Sequence, residues 1–106
     1  MCQPRILHED RLGYISRCQE CGRLQLAFGT SAFAMTPDEF REFSKQARLY
    51  HSDHFDRIDR NRKDIYVPAM QPGIYLVLTA QELEDLINLL DMGLAGLEID
   101  EAFRFI

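Results

Sequence analysis

The sequence contains one short pattern twice, and this repeat limits the folds that the chain can adopt. AFAMTPDEFREFSKQA (32–47) and YLVLTAQELEDLINLL (75–90) follow the same plan at an offset of 43 residues. Each copy is an apolar strand that runs into Thr-x-x-Glu and then into apolar positions three and four residues apart. The plan predicts a strand followed directly by an amphipathic helix, used twice.

The Thr-x-x-Glu motifs are predicted capping boxes. The hydroxyls of Thr36 and Thr79 accept hydrogen bonds from backbone amides of the first helical turn. Glu39 and Glu82 reach back to the amides of the two threonines, so each motif satisfies amides that a helix start leaves without partners.

Two helices are predicted from these starts. The first spans about 37–50 and begins with Pro37, whose missing N–H costs nothing at the first helical position. The second spans about 80–92 and ends at Gly93, which is expected to act as the C-cap.

Another strand precedes each of these strands and joins it through a turn. RLQLAF turns at Gly29-Thr30 into SAFAM, and DIYVPA turns at Gln71-Pro72-Gly73 into IYLVL. One such unit of strand, hairpin, strand and helix cannot cover its own apolar face. We therefore expect an α+β fold with one antiparallel sheet and both helices on one face. The alternative is that the two halves resemble each other by chance.

At 106 residues the chain fits one domain. Five segments are predicted: an N-terminal hairpin with a cysteine turn, the first unit, a polar loop, the second unit and an apolar tail (1–23, 24–50, 51–64, 65–93 and 94–106). Because the tail ends in three apolar residues within four, we expect the chain's own core or a second chain to hold it. A homo-oligomer or another protein partner is therefore expected.

Charge is unevenly distributed along the chain. The net charge is −5, and Arg104 is the only basic residue after Lys63, against eight acidic ones. This balance does not favour binding to nucleic acid. No apolar run approaches the roughly 20 residues that span a bilayer, and no signal peptide is visible. We expect a cytoplasmic protein with reduced cysteines and no membrane partner.

Cys18 and Cys21 stand in SRCQECGR, a Cys-x-x-Cys motif followed by glycine. A redox pair belongs at a helix N-terminus, whereas a strand pattern follows here. A second alternative is two ordinary small thiols. We favour a zinc knuckle, a tight turn in which Gly22 adopts the left-handed conformation and backbone amides point at thiolates.

One knuckle supplies two of the four ligands that zinc needs. Within the first twenty-one positions of the sequence, four residues are candidate ligands: Cys2, His8, Cys18 and Cys21. RILHEDRLGYIS predicts two strands that turn at Glu9-Asp10, so Cys2 reaches Cys18 and the set has three thiolates. His8 joins them, as a Cys3His set, only if residues 3–12 form a compact loop instead.

His51 and His54 are less suitable as ligands, because they lie about 21 Å from the start of the first predicted helix. We interpret them as polar residues at the helix end, where the helix dipole favours a cation. The metal is expected to be structural, since Glu20 is the one nearby carboxylate and points outward. The sequence contains no metalloprotease motif, phosphate loop or nucleophile elbow.

The run GYISRCQECGRLQLAFG, followed by the helix entry at Thr36-Pro37, resembles small uncharacterised proteins from Bacteroidetes-type bacteria. The likeness covers about the first two-thirds of the chain and implies no established activity.

Three functions stay open. The first is a binding module with a structural zinc ion, and the second is a metal-dependent enzyme or metal-handling protein with an open Cys/His site. The third and least favoured is nucleic-acid binding through four arginines in the knuckle half: Arg5, Arg11, Arg17 and Arg23.

Overall fold

The computed structural model describes residues 3–54 and 60–103 and has an α+β architecture. Its elements follow one another in this order: β1 (Pro4–Asp10), β2 (Gly13–Cys18), β3 (Leu24–Phe28), β4 (Ser31–Met35), α1 (Pro37–His54), β5 (Ile65–Pro68), β6 (Tyr75–Leu78) and α2 (Ala80–Phe103). The predicted α+β class is confirmed. Within the described ranges, neither helix combines the length and apolarity needed to cross a bilayer.

The first four strands form an antiparallel sheet in the order β1-β2-β3-β4. The predicted turn at Glu9-Asp10 lies two residues too early, because Asp10 pairs with Gly13 across the hairpin. The Asp10 carboxylate accepts hydrogen bonds from the amides of Leu12 and Gly13, at 2.8 and 3.1 Å. An aspartate that binds amides two and three residues ahead starts a turn rather than occupying its centre.

The prediction of one antiparallel sheet is wrong, because β5 and β6 form a separate two-stranded antiparallel sheet. Its loop, which contains the predicted Gln71-Pro72-Gly73 turn, lies beside β4. A cavity of about 360 Å³ opens between β4 and this loop. The second hairpin therefore approaches the edge of the first sheet without extending it.

Both predicted capping boxes are confirmed atom by atom. The Thr36 hydroxyl accepts from the Glu39 amide at 3.1 Å, and the Glu39 carboxylate accepts from the Thr36 amide at 2.8 Å. The corresponding distances at Thr79 and Glu82 are 3.0 and 2.9 Å. Each box links the end of a core strand to the first turn of a helix, so the strand fixes where the helix starts.

Helix α2 packs across β1 and β2, and α1 packs beside α2 and against β5. Both helices are longer than predicted, and Gly93 lies inside α2 rather than at its end. Position 93 favours glycine because a Cβ there would collide with the side chains of Ile15 and Phe40. At Gly96 a Cβ would lie 2.7 Å from the backbone oxygen of Leu7. The two glycines bring α2 close to the sheet, which is a packing role rather than a capping role.

The core lies between the two helices and the inner faces of both sheets. In β3, Leu24, Leu26 and Phe28 are buried, and Gln25 between them is exposed. On β2, Ile15 faces α2, so Ser16 and Cys18 belong to the opposite face of the sheet. That opposite face carries the cysteine turn at one end.

Candidate metal site

The candidate site is the turn that connects β2 to β3. Cys18 is the last residue of β2, and Leu24 is the first residue of β3. The Cys18 amide donates to the Arg23 carbonyl at 2.8 Å, and the Gly22 amide donates to the Cys18 carbonyl at 2.9 Å. These two bonds close a compact turn around the Cys-x-x-Cys-Gly motif.

A backbone amide in this turn points at a cysteine sulfur. The Cys21 amide donates to Cys18 Sγ at 3.4 Å. Gly22 follows with φ of 78°, a left-handed conformation that residues with a Cβ rarely adopt. The same amide can donate to a thiolate at this position once the disulfide of Cys18 is reduced.

The two cysteines of the turn differ in exposure. Cys18 is buried and disulfide-bonded, whereas Cys21 is exposed, so the expectation of reduced cysteines is wrong for Cys18. Cys2, the other predicted thiolate ligand, lies outside the described residues. Of the residues that the structure describes, no three from the set Cys, His, Asp and Glu lie close enough together to hold a metal ion.

The strand β1 leads towards the turn at one end and carries His8 near the other. Pro4 pairs with Cys18, and the Gln19 amide donates to the Gln3 carbonyl at 3.1 Å. His8 lies four residues beyond Pro4, about 13 Å along an extended strand. Its Nε2 is 4.0 Å from the Asp10 carboxylate. The structure does not bring His8 to the cysteine turn, and it has no compact 3–12 loop.

The histidines at the end of α1 are also remote from the turn. His51 Nε2 lies 3.5 Å from the Glu84 carboxylate of α2. The side chain of His54 lies outside the described residues. The hydrogen bond from Arg60 is the main cause of the lowered pKa of Glu84; burial opposes it, and the bond from His51 acts in the same direction as Arg60. His51 therefore belongs to a polar cluster that includes Glu84 and Arg60.

A buried arginine supports the turn from the inner face of the sheet. Arg17 Nε donates to the Gly22 carbonyl at 3.1 Å, and Arg17 Nη1 donates to the Asp100 carboxylate at 3.1 Å. Arg17 is 8% exposed and Asp100 is 6% exposed. Arg5 contacts the other carboxylate oxygen of Asp100 at 3.2 Å. The turn is thus joined to the C-terminal end of α2 through one guanidinium group.

The sequence suggests Arg17 as one of four arginines that could bind nucleic acid, whereas the structure gives it this structural role. A signal was present, because Arg17 alternates with Ile15 on the face of β2 that an apolar residue marks as inward. An arginine on an inward face requires an acidic partner. Asp100, which follows Leu97 and Ile99 in the predicted apolar tail, was the corresponding signal in α2.

A cavity of about 330 Å³ adjoins the turn on the outer face of the sheet. Its lining includes both cysteines of the turn and residues from the four strands: Pro4, Ser16, Cys18, Cys21, Arg23, Leu24, Gln25 and Ala34. Gln25 donates to the Tyr14 hydroxyl at 2.7 Å, which fixes one side of this surface. Small molecules or a partner side chain can therefore approach the turn from this side.

The fold and the site together define a class of small α+β domains in which a Cys-x-x-Cys-Gly turn closes two strands of a meander sheet. The chain belongs to a family of unknown function, DUF6686, whose model matches residues 1–98. The prediction of an uncharacterised family is confirmed. No curated protein and no solved structure matches the chain.

Proposed function

We propose that the chain is a small cytoplasmic binding module whose cysteine turn holds a structural zinc ion. The observation that carries the proposal is the amide of Cys21 directed at Cys18 Sγ, next to a left-handed Gly22. One amide hydrogen bond of this kind also supports a thiolate ligand in a zinc knuckle. Zinc binds thiolates, so the proposal concerns the reduced chain, in which a thiol reductant has opened the Cys18 disulfide.

Three thiolates form the proposed ligand set: Cys2, Cys18 and Cys21. The pairing of Pro4 with Cys18 supports it, because Cys2 precedes Pro4 by only two residues in the sequence. His8 is the alternative fourth ligand from the sequence, and the extended course of β1 argues against it. A structural site is closed, so the fourth ligand of a three-thiolate site is then a group from a partner rather than water.

Zinc titration of the reduced chain under anaerobic conditions tests the proposal. We expect one zinc ion per chain in competition with a chromophoric chelator, and a thiolate-to-metal charge-transfer band when cobalt replaces zinc. Cys18→Ser and Cys21→Ser should each lower the affinity at least about tenfold, because a ligand is lost. Glu20→Gln, in the same turn, is the matched control and should bind zinc like the parent chain.

Two further variants test the remaining predicted ligands, Cys2 and His8. Cys2→Ser should weaken zinc binding as strongly as Cys18→Ser, whereas His8→Ala should leave it unchanged. A reduced parent chain that takes up no zinc, or a Cys18→Ser variant that binds like the parent, would overturn the metal site. Weaker binding by His8→Ala, in addition to weaker binding by the three cysteine variants, would replace the three-thiolate set with the Cys3His set.

An open catalytic metal site is the second candidate, and the cavity of about 330 Å³ beside the turn favours it. Against it, no carboxylate or imidazole is among the described residues that line this cavity. A hydrolytic zinc site needs such a group as general base. Imidazole added to the cobalt form distinguishes the two, since only an open site changes its cobalt spectrum.

Nucleic-acid binding receives less support than either metal function. Arg5 and Arg17 both contact the Asp100 carboxylate, so two of the four arginines considered for this role are engaged in ion pairs. Phosphate contacts require cations that are available at the surface. We expect the chain to cause no salt-dependent mobility shift of generic DNA or RNA in an electrophoretic assay.

We further propose that the two strand-hairpin-strand-helix units are structural duplicates. Leu24 pairs with Met35 in the first unit, and Ile65 pairs with Leu78 in the second, and all four residues are buried. Each second strand ends at a capping box of the same chemistry. The loop between the two strands is longer in the second unit than in the first. The first strands of the two units are therefore separated by a different number of residues than the second strands are.

A further inference from the structure

Helix α2 has two apolar faces on opposite sides. One face is buried against the sheet and α1, and it includes Leu86, Leu90, Gly93 and Leu97. The other face, which we name the outer stripe, consists of four exposed positions: Met92, Ala95, Ile99 and Ala102. These positions are separated by three, four and three residues, the spacing of a helix that pairs with another helix.

The outer stripe is left uncovered by the described part of the chain. Met92 is 52% exposed and Ile99 is 58% exposed, and Phe103 at the edge of the stripe is 62% exposed. A helix that is apolar on both faces is normally buried on both. A contiguous exposed apolar patch of this kind is typical of a protein interface.

Large and small side chains alternate along the outer stripe in an order that matches a second copy of itself. If two stripes lie antiparallel about a two-fold axis near position 97, Met92 faces Ala102 of the other copy. Ile99 likewise faces Ala95. Each large side chain then meets a small one, which is the arrangement that fills an antiparallel helix interface without voids or overlap. A parallel in-register pair would place Met92 against Met92 and Ala95 against Ala95.

Ion pairs within the chain remove most of the charge that opposes such pairing. Of the acidic residues in this half of α2, Asp91 pairs with Arg48 of α1, Glu101 pairs with Arg41, and Asp100 pairs with Arg5 and Arg17. The antiparallel register brings Glu98 close to Glu98 of the other copy, on one flank of the axis. The contact is therefore compatible with self-association, and Glu98 is its one unfavourable charge.

We propose that the outer stripe of α2 is a homodimer interface in which two copies pair antiparallel about a two-fold axis near position 97. The dimer proposal rests on the proposed binding module and names a second copy of the chain as its partner. The proposed interface does not involve the metal site. From Met92 to Ala102 the stripe is about 15 Å long. Such a contact buries less than the roughly 800 Å² per partner of a standard stable interface. The dimer is weak and reversible, with a dissociation constant above about 10 µM.

Sedimentation equilibrium of the full chain in reducing buffer, over a wide concentration range, tests the dimer. We expect a monomer–dimer equilibrium in the parent chain. Ala95→Ile should weaken the dimer at least about tenfold, because the larger side chain introduced at this position then collides with Ile99 of the other copy. Ile99→Ala should also weaken it, since two alanines then face each other across a gap.

The double variant Ala95→Ile with Ile99→Ala is the decisive measurement. It exchanges the large and small positions, so it should restore dimerisation to near the parent level. Glu98→Gln should strengthen the dimer, most clearly at low ionic strength. All three substituted positions are exposed, and circular dichroism with thermal unfolding confirms that each variant folds.

Three outcomes would overturn the proposal. The first is a parent chain that stays monomeric at every concentration. The second is an Ala95→Ile variant that dimerises more tightly, which indicates unspecific apolar association. The third is a double variant that is not restored. Zinc binding is measured separately on the same samples, so a failed metal site and a failed interface give different results.

Discussion

At the scale of single residues, Arg17 is the side chain with the most consequences for this fold. Its guanidinium joins the Gly22 carbonyl of the cysteine turn to the Asp100 carboxylate of α2. Both charges are almost fully buried, and a buried charge is tolerated only when a partner compensates it. The pair therefore makes the position of the turn depend on the end of the helix.

Replacing Asp100 with alanine should destabilise the chain by about 3–5 kcal/mol, because it leaves the Arg17 charge buried with its main carboxylate partner removed. The measurement is urea unfolding at neutral pH. Asp38→Ala is the control, since the Asp38 side chain is 98% exposed and its ion pair with Arg41 contributes less than about 1 kcal/mol. The double variant Arg17→Met with Asp100→Leu should recover most of the loss. A loss of under about 1 kcal/mol in Asp100→Ala would contradict this role.

At the scale of secondary-structure elements, local chemistry predicts both helix starts correctly but places both helix ends too early. Thr36 and Thr79 begin both helices because a capping box needs only residues within four consecutive positions of the sequence. Gly93 was interpreted as a C-cap because glycine commonly ends helices. Its actual role depends on Ile15 and Phe40, which are distant in sequence and invisible to a local pattern.

The capping glutamates should make stability depend on pH in the acid range. The backbone hydrogen bond from Thr36 is the main cause of the lowered pKa of Glu39. Burial opposes ionisation of Glu82, but the bonds from Lys63 and the Thr79 amide outweigh it and lower the Glu82 pKa. A carboxylate whose pKa is lowered by folding stabilises the folded state at pH values above 4.5, its pKa in the unfolded chain. This contribution is lost as the pH falls through the pKa of the folded state.

The variant Glu39→Gln with Glu82→Gln should therefore be less stable than the parent at pH 7, and the difference should be smaller at about pH 3, below the unfolded pKa of 4.5. Glutamine keeps the capping hydrogen bond, so the difference reports the two charges. Urea unfolding at both pH values provides the measurement. Glu9→Gln, at an exposed position of β1, controls for the loss of an acidic charge. An undiminished difference at pH 3 would show that the effect is not electrostatic.

At the scale of the whole molecule, the sequence predicts the α+β class but not the division into two sheets. The repeat defines two hairpins, and nothing in either hairpin specifies whether β4 bonds to β6. The candidate site divides in the same way. Cys18, Cys21 and Gly22 form a local motif that can be read from the sequence, whereas Asp100 is separated from Arg17 by 83 positions.

The two sheets should differ in local stability. A two-stranded sheet is marginal by itself, whereas β2 and β3 have a neighbouring strand on both sides. Hydrogen exchange followed by NMR should show faster exchange of the β5 and β6 amides than of the β2 and β3 amides, by about tenfold or more. The pairs Ile15–Leu26 and Val67–Leu76 make a fair comparison, because all four side chains are buried. Equal protection would show that the smaller sheet opens only when the entire domain unfolds.

The packing of α2 over β1 and β2 also has a consequence for synthesis of the chain. A ribosome releases the first two strands long before the helix that covers them, and Arg17 emerges 83 positions ahead of Asp100. The inner face of the N-terminal hairpin is consequently exposed until α2 has been translated. A nascent polypeptide of this design completes its fold only when nearly the last turn of α2 has left the exit tunnel.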